Sequence, residues 1–126
     1  MPKTEIWLLE GKSPEFHQAL FDNIYLAMRE TFDCPEDDRF MTLSEHRPHQ
    51  YLYSENYMGI RRSNDLVMIQ ITCKNTRTVD QKKALYRRLK ERLTEHLKLR
   101  PEDIFVSLVE VPKENWSFGH GLAQLA

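Results

Sequence analysis

The feature that most constrains this fold is an order of strand, helix and strand that occurs twice, at a spacing of about 60 residues. In the first unit, the apolar run TEIWLLE (4–10) and the alternating stretch RFMTLSEH (39–46) predict strands. Between them, apolar residues recur at helical spacing over residues 14–32, after a helix start at Ser13-Pro14-Glu15 and before a stop at Cys34-Pro35. The pattern predicts one βαβ unit.

The second unit repeats this order. DLVMIQITC (65–73) is the most strand-like run in the chain, and DIFVSLVEV (103–111) predicts the last strand. Thr78 and Asp80 are candidate caps of a second helix, in which leucine recurs at every fourth position: Leu85, Leu89, Leu93 and Leu97. We therefore predict a single α/β domain over residues 1–126, with a pseudo-repeat at 2–60 and 61–126. Its four-stranded mixed sheet carries both helices on one face.

The other face of this predicted sheet needs a partner, because two helices cover only one side. Alternation in the third strand places Val67, Ile69 and Ile71 on one face, opposite Leu66, Met68, Gln70 and Thr72. This second set mixes apolar with polar residues. We therefore expect further subunits to cover it in a homo-oligomer.

The composition argues against several classes of partner. The 18 basic and 19 acidic residues nearly balance, and no lysine and arginine stripe with interleaved aromatic residues indicates nucleic-acid or membrane-surface binding. No apolar run approaches the roughly 18 residues that span a bilayer, and the N-terminal segment lacks a signal-peptide layout. We expect a cytoplasmic protein with a small substrate. Cys34 and Cys73 are expected to be buried, reduced thiols.

Pro2 is a candidate catalytic residue with two interpretations. Proline is tolerated at the start of an edge strand. Alternatively, removal of Met1 before a small residue leaves a free secondary amine at the N-terminus. An α-amino group titrates near about 7.7–8.0, so a modest downward shift in its pKa makes it a base at neutral pH.

The C-terminal segment PKENWSFGHGLAQ (112–124) favours the catalytic interpretation. Together with Pro2, DDRF (37–40), EHRP (45–48) and RTVDQK (77–82), it resembles the tautomerase superfamily, and within it the group close to malonate semialdehyde decarboxylase. The resemblance is collinear over nearly the whole chain. It implies a tautomerase fold, a trimer with amino-terminal prolines in pockets near subunit boundaries, and no metal or organic cofactor. Desolvation by Trp116 and Phe118 would lower the pKa of the proline amine.

The resemblance also implies roles for three charged residues. Asp38 falls where the decarboxylase group has a catalytic aspartate that positions or activates water, although from its local sequence alone it reads as a solvated turn residue. That group also has two arginines, one residue apart, that hold the substrate carboxylate. Here Lys74 and Arg77 take those places with an extra residue between them. Lysine supplies charge without the planar two-point grip of arginine, so the expectation is recognition of a small carboxylate.

The leading hypothesis is a cofactor-independent tautomerase acting on a small enol or 2-oxo carboxylic acid, with Pro2 as acid-base catalyst. The first alternative is a decarboxylating or hydrating lyase, in which cationic Pro2 polarises a carbonyl and Asp38 handles water. The second is a non-catalytic trimeric binding protein, which a retained Met1 would favour. His46 and His49 straddle Pro48 without a third ligand and predict no metal site, whereas His46 and Arg47 are candidates for the pocket border.

Overall fold

Four strands and two helices follow one another in the predicted order. The structure is a computed structural model that describes residues 2–126, so the expected removal of Met1 lies outside the described residues. The elements are β1 (Lys3–Leu9), α1 (Pro14–Phe32), β2 (Met41–His46), β3 (Val67–Lys74), α2 (Val79–Leu97) and β4 (Ile104–Val111). Neither α1 nor α2 is long and apolar enough to cross a bilayer.

The sheet has the strand order β2-β1-β3-β4. Each βαβ unit contributes one parallel pair, β1 with β2 and β3 with β4, as crossover connections require. The two units meet where β1 and β3 pair antiparallel, from Lys3 opposite Thr72 to Trp7 opposite Met68. The predicted mixed sheet is confirmed, and β1 is one of its two inner strands. Both edges of β1 are therefore paired with neighbouring strands.

Local capping explains where the helices begin. The Ser13 hydroxyl accepts a hydrogen bond from the Phe16 amide at 3.1 Å, which confirms the predicted start of α1. Of the two candidate caps of α2, Thr78 takes the position. Its hydroxyl accepts from the Gln81 amide at 3.1 Å, and the Gln81 side chain accepts from the Thr78 amide at 2.9 Å. Asp80 lies in the first turn instead, where its charge favours the helix dipole.

The hydrophobic core lies between the two helices and one face of the sheet. Its fully buried members include Ile6, Leu20, Ile24, Ile69, Ile71, Leu85, Leu89 and Leu93. Cys34 and Cys73 are buried free thiols, as predicted. The opposite face, which we call the open face, carries the alternate residues of the strands, including Met68, Gln70, Thr72, Phe105 and Val109. These side chains are half-buried or exposed in the single chain.

The start of β2 differs from its prediction. The strand was expected to span residues 39–46, but β2 begins at Met41 because a turn bonds the Asp38 amide to the Pro35 carbonyl at 3.1 Å. Phe40 precedes the strand, although its carbonyl still accepts from the Thr4 amide at 2.9 Å. The Phe40 side chain is left 57% exposed beside the start of β1.

Candidate active site

Pro2 lies buried directly before β1. On one side the chain around Phe40 is bonded to Thr4, and on the other Lys3 pairs with Thr72 near the end of β3. Continuing that antiparallel register by one residue brings Pro2 beside Cys73. Pro2 is therefore enclosed by the segment that enters β2 and the segment that leaves β3.

A cavity of about 210 Å³ opens against Pro2. Its lining residues are Pro2, Lys3, Phe40, Trp116, Ser117 and Phe118. The Trp116 and Phe118 rings stack with their centroids 5.6 Å apart and their planes 7° from parallel, so they form one apolar wall. The indole Nε1 of Trp116 is buried without a hydrogen-bond partner among residues 2–126. One residue of the wall therefore carries a buried donor without a partner.

Asp38 is a buried acid, with 5% of its surface exposed. Burial raises the pKa of its carboxyl above the usual value, and the positive charges of Arg77 and Lys74 oppose that rise. These two cations are near enough to act on Asp38. Its Oδ2 atom nevertheless has no hydrogen-bond partner within the described chain. The structure thus brings together the three charged residues that the resemblance singled out.

Arg77 is held by the end of α1. Its Nη2 donates to the Phe32 carbonyl at 2.9 Å, and its guanidinium carbon lies 5.0 Å from the centroid of the Phe32 ring. Phe32 is the last residue of α1, where carbonyls lack helical partners and positive charge is favoured. Arg77 Nη1 is buried with no partner in residues 2–126. One nitrogen of the guanidinium therefore anchors the side chain, and another has no partner in the described residues.

Two residues near the site escaped the sequence analysis. Phe40 was assigned to a strand by its alternation with Met41, and Phe32 was counted only as a member of the apolar stripe of α1. One signal in the sequence could have suggested this contact: Arg77 is a cation just after β3, and cations can bind the free carbonyls at the end of a helix such as α1. The contact itself depends on tertiary packing.

His46 and Arg47, the candidates for the pocket border, do not line the cavity beside Pro2 in the single chain. His46 pairs with Leu9, so both residues lie at the opposite end of β1 from Pro2. The His46 ring stacks on Tyr51 with centroids 5.8 Å apart. The prediction that His46 ends β2 was correct, but the parallel pairing of β1 with β2 separates His46 from the cavity.

Comparison with known sequences decides the family. The family described as "Tautomerase enzyme" matches residues 38–119. Probable tautomerase YusQ of Bacillus subtilis (strain 168) is 38% identical over 125 residues, which cover 99% of this chain and 98% of that protein. Probable tautomerase YrdN of the same organism is 33% identical over 124 residues, covering 98% and 95% respectively. The chain belongs to the tautomerase family. The predicted superfamily is thus confirmed, and the chain is an enzyme of the tautomerase type.

Solved structures agree with this tautomerase assignment. A malonate semialdehyde decarboxylase, studied for its decarboxylase and hydratase activities, matches with a TM-score of 0.92 and 30% identity, covering 98% of this chain and 95% of that one. The FG41 malonate semialdehyde decarboxylase, inhibited by 3-bromopropiolate, matches at 0.90 with 29% identity, covering 97% and 92%. A fused 4-OT symmetric trimer shares the fold at 0.80 with 20% identity, covering 97% and 96%. The resemblance to the decarboxylase group is confirmed.

Because the pKa of Asp38 is raised in the fold, we expect the free energy of unfolding to depend on pH. Between its usual value of 3.8 and its higher value in the fold, the native state binds a proton that the unfolded chain has lost, so stability falls as pH rises through this window. Replacing Asp38 with asparagine removes the titration. We expect D38N to unfold at a higher urea concentration than wild type at pH 7, and the difference to shrink as pH falls towards 4.

The neighbouring Asp37 is exposed and supplies the matched control, D37N. We expect its urea midpoint to follow that of the wild type across the same pH range. A D38N variant that is less stable than wild type at pH 7 would contradict the cost of ionising Asp38 in the fold.

Proposed function

We propose that this tautomerase uses the secondary amine of Pro2, uncovered by removal of Met1, to move a proton between oxygen and carbon of a small enol or 2-oxo carboxylic acid. The observation that carries the proposal is the burial of Pro2 against a cavity with a stacked aromatic wall. Asp38, Lys74 and Arg77 do not line this cavity but lie at the same end of the sheet as Pro2. Such a site combines a proton-accepting nitrogen, an apolar environment and charge that attracts a carboxylate.

The surroundings of Pro2 favour a neutral amine. Apolar walls disfavour an ammonium ion because they remove it from water. Lys74 and Arg77, at the same end of the sheet, disfavour a further cation, whereas an ionised Asp38 opposes this effect. An amine that is neutral near pH 7 accepts the hydroxyl proton of an enol. The electron pair of the C=C bond then takes that proton back from the nitrogen, which leaves a C–H bond and a carbonyl. Atoms balance without a cofactor.

The polar atoms without partners are suited to hold the substrate. Arg77 Nη1 and the Lys74 ammonium supply positive charge for its carboxylate. Trp116 Nε1 can donate to the oxygen that gains charge when the enolate forms. A bound 2-oxo acid would therefore provide acceptors for donors that are otherwise buried and unsatisfied.

A lyase reaction is the second candidate, and Asp38 is the observation that favours it. Decarboxylase relatives share the fold, and Asp38 combines deep burial with a free carboxylate oxygen near both cations. In this reaction a protonated Pro2 polarises the carbonyl of a three-carbon oxo acid, while Asp38 orients a water molecule for hydration or assists loss of carbon dioxide. The two reactions require opposite charge states of Pro2.

We also propose that the protein is a homotrimer in which neighbouring chains cover the open face. Met68, Phe105 and Val109 expose apolar surface there, and Gln70 and Thr72 lie among them. Both helices pack on the other face of the sheet, and residues 52–62 flank only the part of the open face around Met68 and Phe105. A fused 4-OT with the same fold is described as a symmetric trimer, which supports three subunits over two.

Pro2→Ala tests the proton transfer. Alanine leaves a primary amine with different basicity and geometry, so we expect kcat/KM for ketonisation of the enol of phenylpyruvate to fall about 100-fold or more. The decay of enol absorbance measures the rate, and intact mass verifies that Met1 is absent from both proteins. Pro14→Ala, the same change at the start of α1, is the matched control and should retain wild-type activity. Full activity in P2A would overturn the proposal.

Asp38→Asn separates the two candidate reactions. For tautomerisation we expect a loss of kcat below about 10-fold, with a rate that rises as Pro2 becomes neutral. For decarboxylation or hydration of malonate semialdehyde, we expect a loss of about 100-fold or more, because Asp38 then handles water. Wild-type activity that requires protonated Pro2 and disappears in D38N would favour the lyase.

Val109→Arg tests the assembly. Val109 is 40% exposed on the open face. One added charge on each subunit at the buried interface of a trimer should separate the subunits, and sedimentation equilibrium should then detect smaller species. Val79→Arg places the same charge on an exposed residue of α2 and should leave the mass unchanged. A wild-type mass of 15.1 kDa, equal to one chain, would contradict the trimer.

A further inference from the structure

One side chain closes the C-terminal segment that follows the aromatic wall. Gln124 accepts a hydrogen bond from the Phe118 amide at 3.0 Å through Oε1, and it donates to the Gly119 carbonyl at 2.8 Å through Nε2. Between these points the chain reverses with positive φ at three successive residues, Gly119 (141°), His120 (58°) and Gly121 (68°). The Gln124 amide therefore clamps the base of a short loop.

This clamp is the main restraint on the loop. In the described chain, the other hydrogen bonds formed by residues 117–126 are two backbone bonds, Leu122 to Gly119 at 3.3 Å and Ala126 to Ala123 at 3.2 Å. Both are internal to the tail and neither reaches Phe118. An exposed terminal segment without such restraints samples many conformations. Gln124 is thus the residue that ties the backbone of Phe118 to the loop.

We propose that Gln124 is a positioning residue for catalysis, which acts by holding Phe118 in the aromatic wall that shields Pro2 from water. The proposal rests on the proposed function of Pro2. Gln124 does not line the cavity, whereas Phe118 both lines it and stacks on Trp116. A change at Gln124 should reach the chemistry only through Phe118.

Gln124→Met tests the inference, because methionine keeps the length of the side chain and removes both hydrogen bonds. Loss of the clamp lets the Phe118 ring leave the wall and admits water to Pro2. We expect kcat/KM for the enol of phenylpyruvate to fall between about 3-fold and about 30-fold. Because the ammonium form is then better solvated, we also expect the acidic limb of the pH profile to move to higher pH.

Gln50→Met is the matched control. Gln50 is an exposed residue that accepts a hydrogen bond from the Arg47 amide at 3.1 Å, at the opposite end of β1 from Pro2, and it does not line the cavity. It should retain both the wild-type rate and the wild-type pH profile. Gln124 is also exposed, so circular dichroism and unfolding midpoints are expected to match in the two variants.

A double-mutant cycle with Phe118→Ala separates positioning from general loosening. If Gln124 acts through Phe118, Q124M adds little to the loss in rate or to the shift in the pH profile that F118A already causes. Fully additive effects would overturn the inference. So would a Q124M variant with the rate and pH profile of the wild type.

Amide hydrogen exchange tests the clamp independently of the reaction. The Phe118 amide should exchange faster in Q124M than in wild type, and exchange of the Thr4 amide in β1 should not change. Equal exchange of the Phe118 amide in both proteins would overturn the positioning role whatever the chemistry. Full activity in P2A would instead overturn the role of Pro2.

Discussion

Pairing of β1 on both edges is the constraint on which the site depends. Chain termini usually fray, but here Thr4 is bonded to the segment entering β2 while Lys3 pairs with β3. Proline has no backbone N–H once it lies within a chain, so Pro2 adds no hydrogen bond to the ladder. The sheet therefore brings the second residue of the chain into a buried position without using its nitrogen.

Three buried polar atoms without partners in residues 2–126 belong to residues at the same end of the sheet as Pro2. They belong to Asp38 before β2, Arg77 after β3 and Trp116 after β4, so three separate connections converge on one end of the sheet. Each such atom costs stability when no ligand satisfies it. Three further unpartnered atoms belong to helical residues, His17, Arg92 and Thr94. The first group is distinguished by its place at the end of the sheet where Pro2 and the cavity lie, and stability sacrificed in this way is typical of binding sites.

The sequence was sufficient for the elements because their signals are local. Leu85, Leu89 and Leu93 repeat at helical spacing, and Ser13 and Thr78 cap helices through bonds to amides three residues away. Pro2, Trp116 and the charged residues were found through motifs. The motifs did not predict the hydrogen bond from Arg77 to the Phe32 carbonyl or the clamp formed by Gln124. Each depends on backbone atoms whose positions are set by packing or by unusual φ angles. Residue types alone do not reveal a carbonyl that lacks a partner.

The cation pair offers a physical reason to prefer proton transfer over decarboxylation. Arg77 already gives one nitrogen to the Phe32 carbonyl, and Lys74 provides a point charge, so together they attract a carboxylate with little control over its rotation. Loss of carbon dioxide requires the breaking C–C bond to align with the neighbouring π system, which demands a directional grip on the carboxylate. Enol ketonisation requires only that one oxygen and one carbon lie within reach of the same nitrogen. The proposed site, with its stacked aromatic wall and a loosely directional pair of cations, would meet the second requirement more readily than the first.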